Sequence, residues 1–426
     1  MKIIHTADLH IGQIIYQNYD RSDEHQHFFR QLEEWCKAEK PDALLISGDV
    51  FDIQQPSAST KRAFTEYFVQ LHQSCPDMCI VITAGNHDSA SRIQADSAVW
   101  KLANTYLVGT SPSLELLETD TNWQDNYIVA LEKGYIVALP YMIGERREQI
   151  QSILDRVEAM NQENKPVILM GHLAITGLDA TGHDFEIGKI KTQEIASLGT
   201  GYDYLALGHI HKPQTIGHQE DAMKEEVSYP SPVIRYSGSA LHVSCDETYP
   251  HSVSLVETDQ HNGTVHIKQL RIDELRHFYV LPLDGNSFST AEEALEAVKA
   301  FAQENHSGYI RLKMDYKAAI PSNFNQLIYD LLESHKDEIR YNPKIVWTGK
   351  PANEGLEQVK PTFEVAELQQ MTDPMCFIER TRDQYPELDL EEVRMAFEEI
   401  KEEVHRMAEA EKLESKSKKK TKESTK

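Results

Sequence analysis

The sequence predicts an α/β protein with a second, smaller α/β unit and a helical C-terminal segment. Three observations predict it. Short runs rich in Ile, Val and Leu alternate with polar, helix-like stretches over residues 1–270, the pattern of buried strands separated by helices. Residues 271–350 repeat that alternation on a smaller scale. Further on, apolar residues keep a heptad spacing with charges on the other faces, which predicts a helix with one sticky seam.

In the first unit the strand candidates are Ile3-Ile4, Ala43 to Ile46, Ile80 to Ile82, Ile136 to Leu139, Val167 to Met170 and Leu205 to Leu207. Between two of them "STKRAFTEYFVQLHQ" sets Phe64, Tyr67, Phe68 and Leu71 at helical spacing. In the second unit "HFYVLPL", "GYIRLKM" and "KIVWTG" read as strands and "FNQLIYDLLESH" as a helix. The other helix, "AEEALEAVKAFA", follows Thr290, with Glu293 placed to complete a capping box. The order is β-α-β-α-β. Residues 351–362 read as a linker. Over 363–411, Asp373 precedes Pro374 at a helix start, and Leu390, Val393, Phe397, Ile400, Val404 and Met407 form the heptad seam. A helix detached by a linker and too short to stand alone is expected to pack on a partner's helix. The lysine-rich end, 412–426, reads as disordered.

With 426 residues the chain is too long for one ordinary core. At 40 % hydrophobic and 26 % charged it belongs with soluble globular proteins. No apolar run reaches the roughly 18 residues of a membrane span. The start, "MKIIHTADLH", reads as a strand rather than a signal peptide. Five scattered cysteines without a C-x-x-C fit a reducing cytosol. A net charge of −25 argues against nucleic acid as a partner. Charge distribution outweighs the sum, however, and carboxylates loaded with divalent cations present a positive face.

The chemistry collects just after the strand candidates. The first is followed by Asp8 and His10, the second by Asp49 and Asp52, the third by Asn86, His87 and Asp88, and later ones by His172 and by the pair His209 and His211. In open α/β sheets the carboxyl edge is where ligands bind. Alternate residues of an extended segment point the same way, so Asp8 with His10, and His209 with His211, are each set to clasp one centre or two neighbouring ones. Asp8, His10, Asp49, Asn86, His172, His209 and His211 exceed the needs of one ion. They suit two ions bridged by a carboxylate, and Asp49 is the natural bridge. Carboxylate, amide and imidazole without thiolate select Mn²⁺, Fe²⁺, Zn²⁺ or Mg²⁺. Ions about 3.5–4 Å apart clamp the two oxygens of a phosphoryl transfer and lower the pKa of a bridging water.

"DLH", "GDVFD", "GNHD", "GH" and "GHIH" resemble, in order and spacing, the five signature blocks of the calcineurin-like metallophosphoesterases. The likeness is closer to the bacterial nuclease branch of that family. It runs through "HTADLHIG", "PDALLISGDVFD", "AGNHDS", "YDYLALGHIHKPQ", "RYSGSALHVSCDE" and the β-α-β-α-β unit, most of residues 1–350. The resemblance implies a four-layer α-β-β-α sandwich with a small α/β capping domain. It implies DNA as substrate, at double-strand ends and hairpins, and Mn²⁺ as the usual metal. It implies a homodimer and an ATPase partner whose coiled coil docks on 363–411. Carried over residue by residue, Asp8, His10, Asp49 and His211 hold one ion, and Asp49, Asn86, His172 and His209 the other. His87 becomes the general acid that protonates the leaving 3′ oxygen. Asp52 becomes the residue that orients His87, although some relatives carry histidine there.

Other residues have plainer readings. Asp88 is read as the cap of the helix that follows, and His5, His25 and His27 as packing or surface residues. His242 is read as packing, with substrate contact as its alternative. Arg92, Lys189, Lys191, Lys212 and Arg235 are ordinary charges or phosphate contacts. Two other functions stay open: an esterase for a small phosphodiester or nucleotide, and a non-catalytic scaffold for the ATPase.

Overall fold

Three parallel strands start the first sheet: β1 (Lys2–Thr6), β2 (Ala43–Ser47) and β3 (Cys79–Thr83). Their side chains are buried on both faces, and the alternation sorts them. Ile3, Ala43, Leu45, Cys79 and Val81 enter one core; Ile4, Leu44, Ile46, Ile80 and Ile82 enter another. Fully burying each such Ile, Leu or Val stabilises the fold by roughly 1.5–3 kcal/mol. The second core is closed by helices α1 (Ser22–Glu39), through Phe28, Phe29 and Leu32, and α2 (Ala58–Ser74), through Phe64, Phe68 and Leu71. Ser57 starts α2 by accepting a hydrogen bond from the Thr60 N–H at 3.1 Å.

The second sheet holds β4 (Val167–His172) and β5 (Tyr204–Gly208), parallel neighbours at its centre. Its order is Gln214–Thr215, Val233–Tyr236, β5, β4, Gly134–Ala138, Ile128–Leu131. The first sheet runs Glu226–Pro230, Thr264–Arg271, Ser252–Glu257, β1, β2, β3, Thr105–Val108. The two sheets share the first core, which helix α3 (Arg147–Met160) joins through Ile150, Ile153, Leu154 and Val157. The layers are therefore α-β-β-α. Register keeps the carboxyl ends level: Thr6 pairs with Ile46, Ser47 with Thr83, and Gly208 with His172.

The remaining elements are β6 (His277–Leu281), α4 (Ala291–Gln303), β7 (Gly308–Asp315), α5 (Phe324–Leu332) and β8 (Ile339–Thr348), a parallel three-stranded sheet with two helices. Thr290 and Glu293 form the reciprocal capping box of α4. This unit sits on the start of α1. Buried Glu24 accepts hydrogen bonds from Arg21, from the Tyr309 hydroxyl and, at 3.0 Å, from Arg340, while Arg276 pairs with Asp23 at 2.6 Å. Met1–Gly349 accordingly form one compact unit.

The computed structural model describes residues 1–349 except 17–18, 113–116, 118–119, 143, 145, 180, 182–191, 222–223, 244–246, 248 and 305. The linker 351–362, the helical segment 363–411 and the tail 412–426 lie outside the described residues, as do Lys189 and Lys191. Among the described residues no helix is long and apolar enough to cross a membrane.

One core histidine makes the fold acid-sensitive. His5 is fully buried, its Nδ1 2.9 Å from the Tyr204 hydroxyl. Burial, with Arg235 nearby, pushes its pKa down to about 3. Unfolded, it titrates near 6.5, so the unfolded chain takes up a proton that the folded chain refuses. The stability is present above about pH 6.5 and is lost as pH falls towards 3, by about 1.4 kcal/mol per pH unit for this proton. Urea denaturation between pH 7 and 4 should show a shallower acid limb for His5→Gln than for the wild type.

Candidate metal centre

The five strand ends meet at one place. Asp8, His10 and His211 bring donor atoms within 4.8 Å of one another, and so do Asp49, His172 and His209. Asn86 joins the second group, its Oδ1 3.0 Å from His172 Nε2 and 3.0 Å from His209 Nδ1. The groups adjoin, for His172 Nδ1 lies 3.9 Å from Asp8 Oδ1 and the His209 N–H donates to Asp8 Oδ1 at 3.0 Å. All seven predicted donors are therefore gathered.

Backbone shape aims them. Asp8, His10, Asp49 and His209 have φ values of 51°, 45°, 48° and 90°, left-handed conformations that cost about 1 kcal/mol or more each and cluster at functional sites. Ser47 locks one sheet to the other: its carbonyl accepts from His172 Nδ1 at 2.8 Å, and its hydroxyl donates to the Ala206 carbonyl at 3.0 Å. Glycine is required beside this lock. A Cβ on Gly48, whose φ is +83°, would lie 2.2 Å from His172 Nδ1, and one on Gly85 would lie 2.1 Å from Asp49 Oδ1.

The electrostatics call for a cation. Burial pushes the Asp8 carboxyl up, and nearby Asp49 adds to the effect against His172, His211 and His10. Burial also acts on Asp49, but His172, His10 and His87 outweigh it and hold Asp49 below the usual carboxylate range. Burial lowers His172, yet Asp49 and Asp8 overcome it and raise the imidazole. His10 Nε2 is buried without a hydrogen bond, while its Nδ1 has the Asp52 carboxylate 3.3 Å away, and a buried nitrogen left so is costly unless something else satisfies it. Two buried carboxylates, an amide oxygen and an orphaned imidazole nitrogen fit divalent cations.

His87 and Asp52 flank this cluster. His87 is exposed; its N–H donates to Asp49 Oδ1 at 2.8 Å and its ring stands edge-on to His10 at 4.9 Å. Its Nδ1 donates to the Asp52 backbone carbonyl at 2.9 Å. The Asp52 carboxylate instead faces His10, with Oδ1 3.3 Å from Nδ1. Asp52 thus hydrogen-bonds His87 through its main chain, while its carboxylate lies within 4.8 Å of ring nitrogens of both His10 and His87.

Asp88 does not cap the following helix, whose N-cap is Ser89. It is buried and accepts from the N–H groups of Gly85, Val50 and Phe51 at 2.8, 3.0 and 2.9 Å, stitching the third strand's loop to the second's. Arg235 lies away from any phosphate path: it is fully buried, donating to Ser254 Oγ at 2.7 Å and Thr215 Oγ1 at 2.8 Å. Lys212 pairs with Asp179. His242 is packed against His251 and Phe278. Arg92 is exposed. The residue not foreseen is Glu247, buried with Oε1 2.8 Å from His211 Nδ1. It ends the stretch "RYSGSALHVSCDE", but nothing in those residues reveals which strand end it faces.

Because a Cβ at position 85 collides with a donor oxygen, Gly85→Ala should displace Asp49. Calorimetric titration is expected to show divalent cations bound about tenfold or more weakly, with the circular dichroism spectrum unchanged.

Comparison with known proteins places this geometry. The chain is similar to SbcD of the nuclease SbcCD from Rhodobacter capsulatus, 28 % identical over 290 residues, covering 60 % of this chain and 66 % of that protein. For its counterpart in Escherichia coli K12 the figures are 26 % over 264 residues, covering 58 % and 62 %. For that of Staphylococcus saprophyticus they are 26 % over 330 residues, covering 75 % and 80 %. The chain thus spans slightly less than two thirds of the first two relatives. The family model of the calcineurin-like phosphoesterases matches residues 1–213, which take in every one of the seven donors. A match to half of the chain, ending just past His211, makes this protein a member of the calcineurin-like phosphoesterase family.

Proposed function

We propose that the chain is the nuclease subunit of an SbcCD-type complex, hydrolysing DNA phosphodiesters in repair, recombination and replication in the cytoplasm. Its activities are those of a 3′→5′ exonuclease on double-strand ends and an endonuclease on single strands and hairpins. The observation that carries the reading is the convergence of seven donors in two adjoining groups, in a chain similar to nuclease subunits.

Asp8, His10, Asp49 and His211 would hold one divalent ion, and Asp49, Asn86, His172 and His209 the other. Mn²⁺ is the proposed metal, although the same donors accept Mg²⁺, Fe²⁺ or Zn²⁺. When bound, such a pair supplies Lewis acidity toward phosphoryl oxygens and a lowered pKa for water. The chain's own groups do the rest. Asp49 is held by the His87 N–H, so acid and bridging carboxylate keep a fixed spacing. The Asp52 carbonyl keeps a proton on His87 Nδ1, which leaves Nε2 as the atom that hands a proton to the leaving oxygen. His87 is exposed, which supports access of substrate to it. Asp52's carboxylate, beside His10, steadies a ligand imidazole.

The capping unit and the 363–411 segment support a macromolecular substrate and an SbcC-type ATPase partner, since a small ester requires neither. A homodimer within a heterotetramer completes the proposed assembly. Purified protein with Mn²⁺, with and without the ATPase, is given linear duplex DNA and bis-p-nitrophenyl phosphate. Both should be cleaved, and His87→Gln should slow DNA cleavage by about 100-fold or more but the small ester far less, since nitrophenolate leaves without a proton, while Mn²⁺ binding stays normal. Cleavage of the small ester alone would make the chain a small-phosphodiesterase, and hydrolysis of neither would make it a scaffold.

A further inference from the structure

His211 is the ligand whose far side is built most elaborately. Its Nδ1 lies 2.8 Å from Glu247 Oε1. The other oxygen of Glu247 accepts from the Val243 N–H at 3.0 Å and lies 3.2 Å from His251 Nε2. His251 is in turn fixed from its other edge, Nδ1 meeting the Ser239 carbonyl at 2.8 Å, and its ring packs on Tyr249 and His242. The Glu247 carboxylate has no exposed side-chain surface. Burial raises it, but His211 and His251 outweigh burial and keep it below its usual range. A carboxylate taken wholly out of water is tolerated only when paired and hydrogen-bonded. Here every partner faces either the candidate centre or the support behind it.

We infer that Glu247 is a positioning residue for the cation held on the Asp8, His10 and His211 side, backed by His251. Its carboxylate accepts a hydrogen bond from the His211 Nδ1–H, fixes the tautomer and ring angle, and leaves Nε2 as the ligating atom. It also makes the imidazole a stronger donor. In the other group His172 Nδ1 meets the neutral Ser47 carbonyl at 2.8 Å, and the carboxylate near it, Asp8 Oδ1 at 3.9 Å, is itself a donor of the centre. Glu247 therefore makes the two halves of the centre unequal. This inference rests on the two-ion reading proposed above.

Full-length protein is titrated with Mn²⁺ by calorimetry, and wild-type crystals soaked in Mn²⁺ are read by anomalous scattering. The wild type should take two ions, with His211 ligating through Nε2. Glu247→Gln should weaken one ion about tenfold or more and leave the other unchanged, with Glu247→Asp in between. The thermal midpoint without metal should change little. A wild type that takes no Mn²⁺ overturns the centre and this inference with it. Two ions in the wild type and both affinities intact in Glu247→Gln overturn the role of Glu247 alone. Equal weakening of both ions with a lowered metal-free midpoint also overturns it, because that marks a merely structural part. If the variants do not fold, the soaked wild-type crystal decides. His211 ligating through Nδ1, or Glu247 itself on the ion, overturns the inference.

Discussion

Two sheets approach each other at their carboxyl edges closely enough for Ser47 of one to bond both His172 and the Ala206 carbonyl of the other, and the centre depends on that approach. Donors on neighbouring strands of a single sheet are spread out along a rim. Two rims facing across a few ångströms turn five strand ends into a cup. The approach leaves no room for side chains at Gly48 and Gly85, where a Cβ would overlap donor atoms. It also bends Asp8, His10, Asp49 and His209 into left-handed backbone. The apolar core shared by the sheets supports that strain.

The same approach creates an electrostatic problem that polypeptide alone does not resolve. Asp8 and Asp49 lie buried side by side, one pushed up by burial and the other held down by imidazoles. His10 Nε2 goes without a hydrogen bond. Divalent cations answer both needs, which is why this set of groups belongs to a family of metal-dependent esterases. Around it the protein adds neutral or charged support: Asp88 stitches two loops by three N–H bonds, and Glu247 backs His211.

The capping unit adjoins α1 through a buried cluster of Arg21, Glu24, Tyr309 and Arg340. The segment between His10 and α1 enters the same cluster, since Arg21 Nη1 donates to Gln13 Oε1 at 2.8 Å. Sequence patterning shows the strands and helices on both sides of this junction because each is built from local alternation. It cannot show this junction, whose partners lie about 285 and 316 positions apart along the chain.

By itself the sequence determined β1 to β8 and Gly134–Ala138, the capping box at Thr290 and Glu293, and the seven candidate donors, but not antiparallel strands such as Ser252–Glu257 and Thr264–Arg271. What it determined follows from periods of two or 3.6 residues and from groups placed right after apolar runs, signals carried within a few neighbouring residues. Only the tertiary structure decided the work of Asp88, Asp52, Arg235 and Glu247. Asp88 ties loops rather than starting a helix, Asp52 offers its carbonyl to one histidine and its carboxylate to another, and Arg235 is sealed in the core. Each is a polar group whose role is set by its burial and by partners from distant segments. Spacing along a chain carries no record of either.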